Sequence, residues 1–148
     1  MKFSNEIIIR RPVAEVFAFI SNLENVPSWN YAIVETRKAS DGPVRVGTTY
    51  RQLRSIPTPT EETLEVTELE PARRFAVTGD LGPFHGTLTY ELAETAEGTR
   101  LTNTAKLEAS GLSRLAAPLA RARVRDAVAE NLATLKQLLE RPTAGIVG

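Results

Sequence analysis

The chain holds one histidine, His85, and no cysteine. Nucleophilic and general-base chemistry is therefore confined to few places. A thiolate nucleophile is excluded, and a Ser–His–acid triad needs an imidazole that reaches its substrate. In Phe84–Leu92 the even positions Phe84, Gly86, Leu88, Tyr90 and Leu92 oppose the polar His85, Thr87, Thr89 and Glu91. This is the period-2 pattern of a half-buried strand. It puts His85 on the solvated face, unless a bulge at Gly82-Pro83 reverses the local parity. Metal sites need clustered His, Cys or carboxylate ligands. Glu61, Glu62 and Glu65 read as a solvated strand edge, and Glu91, Glu94 and Glu97 as hairpin surface. No phosphate-binding glycine loop is present. No metal and no cofactor are expected.

The remaining chemistry belongs to polar side chains on apolar faces. Asn103 falls on the inward parity of Thr99–Ala109, between Leu101 and Ala105. A polar side chain there is costly unless it is hydrogen-bonded. An amide satisfied by a neighbouring strand, a tyrosine or water, and an amide that touches a ligand, are both open. Asn131 interrupts the apolar face of the last helix close to its flank, where a structural role is the simpler reading. Tyr50 and Tyr90 lie on strands and need partners for their hydroxyls. Gln52 and Arg54 share the parity of Tyr50, and Arg54 there would bind a carboxylate, phosphate or enolate oxygen. The opposite parity, with Arg51 and Leu53 inward, also fits. Trp29 reads first as a core plug, and second as part of a pocket mouth.

The elements that must position these residues follow from pattern. A short strand, Ile7–Ile9, meets a helix opened by Pro12 with Val13, Val16, Phe17 and Ile20 on one face. A second short helical turn precedes Trp29. Strands are expected at 32–39, Gly47–Arg54, Glu61–Leu69, Arg73–Thr78, Phe84–Leu92 and Thr99–Ala109. Leu64 and Val66, Phe75 and Val77, and Phe84, Leu88 and Tyr90 supply their inward faces. Short turns and one wet face argue for an antiparallel sheet of six to seven strands. A short turn at Leu112–Ala117 and a long helix at Pro118–Glu140 close the pattern, with Val124, Val128, Leu132, Leu135, Leu138 and Leu139 on its apolar face.

At 148 residues and 42% hydrophobic content, the chain reads as one α+β domain over 1–141, with 142–148 expected to be a disordered tail. Charge balances at 18 basic against 18 acidic residues, which gives no field for nucleic acid. No apolar run reaches the roughly 18–20 residues of a membrane span, and the opening apolar run is too short for a signal peptide. A cytoplasmic monomer or homodimer is expected. A helix of over 30 Å, at about 1.5 Å per residue, covers a strip only about 10–12 Å wide. Strands spaced by about 4.8 Å make a far wider sheet. The sheet must therefore curl round the helix, and that leaves room for a cavity.

The pattern I-x-R-R-P-x-x-x-V-F-x-F-I with P-x-W downstream resembles the opening of the SRPBCC superfamily, the START-like or helix-grip proteins. V-G-T-T-Y (46–50), E-V-T-E-L-E-P-A-R-R-F (65–75), G-P-F-H-G-T-L-T-Y-E-L with G-T-R-L-T, and N-L-x-x-L-K-x-L-L-E (131–140) resemble its later strands and closing helix. Within it the chain looks most like the polyketide cyclase/dehydrase and lipid-transport group. The resemblance implies a helix-grip fold and a hydrophobic or amphipathic small-molecule partner such as a lipid, isoprenoid or polyketide. The expected wall is Trp29, Tyr50, Gln52, Leu64, Val66, Phe75, Val77, Phe84, Leu88, Tyr90 and Asn103, with Leu115, Leu119 and Val128 from the C-terminal segment. A binding or carrier protein is the leading expectation. A cyclase, aromatase or dehydratase would need an ionisable inward group, and a protein-interaction module would need an exposed patch.

Overall fold

The alternating segments pair into one sheet. The computed structural model describes residues 1–109 and 117–142. Its strands are β1 (Lys2–Ile9), β2 (Ile33–Lys38), β3 (Thr49–Arg54), β4 (Thr60–Glu70), β5 (Arg74–Leu81), β6 (Phe84–Thr95) and β7 (Gly98–Ala109). All pairings are antiparallel, in the order β1-β7-β6-β5-β4-β3-β2. β1 alone leaves chain order, placing Phe3 opposite Ala105 and Ile7 opposite Leu101. It starts earlier than the apolar run Ile7–Ile9. In Lys2–Glu6 only Phe3 is apolar, and the backbone partners offered by β7 decide the conformation there.

Between β1 and β2 lie α1 (Val13–Ile20) and a 3₁₀ helix (Leu23–Ser28). Pro12 sits just ahead of α1 in an extended conformation, and its carbonyl accepts from the Glu15 and Val16 N–H groups at 3.0 and 3.2 Å. The Asn22 side chain caps the 3₁₀ helix by accepting from Glu24 N–H at 3.2 Å. Val16, Phe17 and Ile20 are buried, as their spacing requires.

The last helix, α2 (Ala117–Glu140), runs along β1. Asn5 Nδ2 donates to the Arg125 carbonyl at 3.4 Å, and Lys136 Nζ donates to the Ile8 carbonyl at 2.6 Å. At its end, Arg11 donates to the carbonyls of Leu139 and Arg141 at 2.7 and 3.0 Å. Arg10 N–H donates to Glu140 Oε2 at 2.8 Å. Arg11 thus serves carbonyls left without intrahelical partners, and sets a cation at the negative end of the helix dipole. Gly98 brings the β6–β7 hairpin against this corner. Its φ is +139°, and a Cβ there would lie 2.3 Å from the Ile9 carbonyl oxygen. Seven strands gripping one long helix, with two short helices after the first strand, make this an α+β helix-grip fold. The turn expected at Leu112–Ala117 and the disorder expected for 142–148 lie outside the described residues, apart from Ala117 in α2 and Pro142.

Candidate functional site

α2 covers the β1 side of the concave face and leaves a cavity of about 620 Å³ beneath the middle strands. The helix faces it with Leu119, Arg123, Val124, Ala127, Val128, Asn131 and Leu132. These positions are spaced by four, one and three residues, so they form a single stripe. The stripe runs from Leu119, 70% exposed, to Leu132, 2% exposed. The cavity therefore opens at the N-terminal end of α2 and closes towards Leu132. Tyr31 and Ile56 also stand at the rim, and both are largely exposed although they line the space. The sheet wall is apolar over most of its area, through Phe3, Leu64, Val77, Phe84, Leu88, Ala105 and Leu107.

Charge enters this wall at two points. Among the described residues, Arg54 and Arg123 are the charged side chains that line the cavity, and no carboxylate does. Arg54 is held from behind by Glu62. Its Nε donates to Glu62 Oε2 at 2.6 Å, with side-chain exposures of 13% and 0%. Gln52 Nε2 donates to Glu62 Oε1 at 2.8 Å, and Thr36 Oγ1 donates to Gln52 Oε1 at 3.1 Å. Gly82 N–H, in the β5–β6 turn, also donates to Glu62. A buried carboxylate is tolerable only with such compensation. This corrects the reading of Glu61, Glu62 and Glu65 together as a solvated edge: the parity that turns Leu64 and Val66 inward turns Glu62 inward too. The Tyr50 parity is the inward one, so Gln52 and Arg54 face in while Leu53 is 44% exposed.

At the closed end the wall carries polar groups. Trp29 stands edge-on to Tyr90, with ring centroids 6.5 Å apart, and Tyr90 lies opposite Asn103 across β6 and β7. Burial pushes the Tyr90 hydroxyl far above its ordinary value of 10.0, so it is a neutral group rather than a base. Asn103 Nδ2 donates to the Thr89 carbonyl at 3.4 Å. Trp29 Nε1, Asn103 Oδ1 and Asn131 Oδ1 are buried and have no hydrogen-bond partner among the described residues.

A family profile described as polyketide cyclase/dehydrase and lipid transport matches residues 1–140. The chain belongs to that family. It is also similar in fold to TTHA0849 from Thermus thermophilus, with a TM-score of 0.79, 18% identity, and coverage of 94% of this chain and 97% of that one. A conserved protein from Geobacillus kaustophilus has a TM-score of 0.76 at 15% identity, covering 94% and 95%. The di-domain ARO/CYC StfQ from the steffimycin biosynthetic pathway has a TM-score of 0.74 at 15% identity, covering 94% of this chain and 50% of that one. No curated protein matches the chain.

In this polyketide cyclase/dehydrase-family protein, ten of the fourteen residues expected in the wall meet at the cavity: Trp29, Gln52, Leu64, Val77, Phe84, Leu88, Tyr90, Asn103, Leu119 and Val128. Tyr50, Val66 and Phe75 do not. They belong to the solid core, and α1 reaches Phe75 there: Phe17 meets Phe75 edge-on at 6.5 Å, and Phe75 stacks on Tyr90 at 6.3 Å. Leu115 lies outside the described residues. Asn131 faces the cavity rather than the helix flank, at 7% exposure. His85 is on the outer face, its side chain 67% exposed and its Nδ1 3.0 Å from Asp80 Oδ1. Arg123 carries no signal of a wall residue because it falls in the basic run Arg121, Arg123 and Arg125, which reads as a solvated helix face. Glu62 carried a signal, its parity, which the surrounding glutamates masked.

Proposed function

We propose that the protein binds a hydrophobic or amphipathic small molecule in the cavity between the sheet and α2. The observation that carries this reading is the cavity itself: about 620 Å³, walled mainly by aliphatic and aromatic side chains, with a graded opening at Leu119. Small-molecule pockets are typically about 300–1,000 Å³, apolar, with a few placed polar groups. Arg54 and Arg123, the charged groups among the described wall residues, favour a ligand whose polar end is acidic. The family's lipid-transport description agrees with this reading. Native mass spectrometry of protein taken directly from the producing cells tests it. The expected result is a small-molecule adduct that Ala127→Trp, which fills the cavity from α2, abolishes. An adduct that survives this substitution would place the ligand elsewhere.

One observation favours a second reading, that of a cyclase or dehydratase. Arg54 is fixed against Glu62 and presented on the wall, and a positioned guanidinium stabilises a developing enolate. On this reading Arg54→Lys, which keeps a cation beside Glu62 but loses the guanidinium fork, sharply lowers turnover of a poly-β-keto substrate and leaves its binding largely intact. On the binding reading alone there is no turnover to lose.

A further inference from the structure

We infer that the closed end of the cavity is built for a neutral hydroxyl group carried on an apolar skeleton, an alcohol, phenol or enol that enters hydroxyl first. The inference rests on the binding reading above and narrows its ligand class. Trp29, Asn103 and Asn131 are 6%, 1% and 7% exposed, and each presents one buried polar atom without a partner among the described residues. All three residues line the cavity.

Trp29 and Asn103 also lie close to one level of the fold. Trp29 packs on Tyr90, which is opposite Asn103. Asn103 is opposite Asn5, which bonds to the Arg125 carbonyl of α2; three residues further along β1, Ile8 bonds to Lys136. Asn103 therefore stands level with the Arg125 end of this α2 segment, and Asn131 lies six residues further along it, on the cavity-lining stripe.

The chemistry of these atoms is specific. Trp29 Nε1–H only donates. Asn103 commits its Nδ2 to Thr89, so its Oδ1 is left as an acceptor; Asn131 Oδ1 is a second acceptor. A hydroxyl donates one bond and accepts up to two, and so serves the indole and an amide oxygen together. A carboxylate cannot donate to the asparagine oxygens, and a hydrocarbon serves none of the three. Buried polar groups left unpaired by a ligand are what make hydrogen-bonding sites discriminate strongly.

Calorimetric titration of the full chain with 2-naphthol and with 2-methylnaphthalene, which differ by a hydroxyl for a methyl, tests this. A purely apolar cavity prefers the methyl compound, because the hydroxyl must be stripped of water. The inference predicts the opposite, with 2-naphthol bound about tenfold more tightly or better. Trp29→Phe and Asn131→Leu should each shrink that ratio, and the double substitution should reverse it. Equal binding, or tighter binding of 2-methylnaphthalene, by the unaltered protein overturns the inference and leaves the binding reading standing. If neither compound binds, the binding reading falls and takes the inference with it. The decisive comparison uses the unaltered chain, so it does not depend on a variant folding.

Discussion

Glu62→Leu should be among the most destabilising single substitutions in the sheet, although it replaces a charge with a side chain of similar bulk. The structure sets the scale. Glu62 has no side-chain exposure and accepts from Arg54 Nε, Gln52 Nε2 and Gly82 N–H. Leucine leaves all three donors without that acceptor. Gly82 is partly exposed and can turn to water, but Gln52 is 3% exposed and cannot, and the Arg54 side chain, 13% exposed, is largely cut off from it. Breaking one side of a buried ion pair costs about 3–5 kcal/mol, because the surviving charge is left uncompensated. At roughly 2–4 °C per kcal/mol for a chain near this length, the midpoint should fall on the order of 10 °C. Urea titration at neutral pH is the assay, with the m-value checked for constancy so that only stability has changed. Arg54→Met combined with Glu62→Leu should recover part of the loss, since the stranded guanidinium is gone. A cost below about 1 kcal/mol for Glu62→Leu, the range of an exposed pair, would refute the burial and the compensation argued for this network.

Lys136, and then Arg10 N–H, hold the Glu140 carboxyl below its ordinary value of 4.5, so its folded value lies under its unfolded one. The stability it contributes is present above that ordinary value and is lost as pH falls through the folded value. Glu140→Gln should therefore melt below the unaltered protein at pH ~7, with the gap closing as pH falls through the folded value; a gap unchanged across the whole acid range would show that the ion pair is not its source. Gly86→Ala places a methyl group 2.0 Å from the Lys106 carbonyl oxygen, and denaturant titration should show a loss of about 1–3 kcal/mol or more. A neutral result would mean that β6 and β7 separate readily there. His85→Ala should change stability by less than about 0.5 kcal/mol and leave probe binding unaltered; weakened binding would place the imidazole in the cavity after all.

The strands were legible where alternation was unbroken. β6 and β7 could be read almost residue by residue, and the inward parity of Asn103 followed directly from Leu101 and Ala105. The first half of β1 was not legible, because its conformation comes from pairing with β7 rather than from its own residues. Glu62 was hidden by composition: glutamates at 61, 62 and 65 together look wet, and only tertiary pairing with Arg54 makes one of them dry. Parity also could not separate wall from core. Phe75 and Val77 share one inward parity, yet α1 covers Phe75 while Val77 borders the cavity. Where a covering helix rests on a sheet is set by packing over the whole domain, not by period.

The central claim is that the space under α2 is a binding site, and a fluorescence titration with 1-anilinonaphthalene-8-sulfonate tests it most directly. This probe joins an apolar body to an anionic group, as the wall with Arg54 and Arg123 requires. Saturable one-to-one binding is expected, and Ala127→Trp should remove it with the fold preserved by circular dichroism. Unchanged binding in that variant, or no saturable binding by the unaltered protein, would contradict that claim.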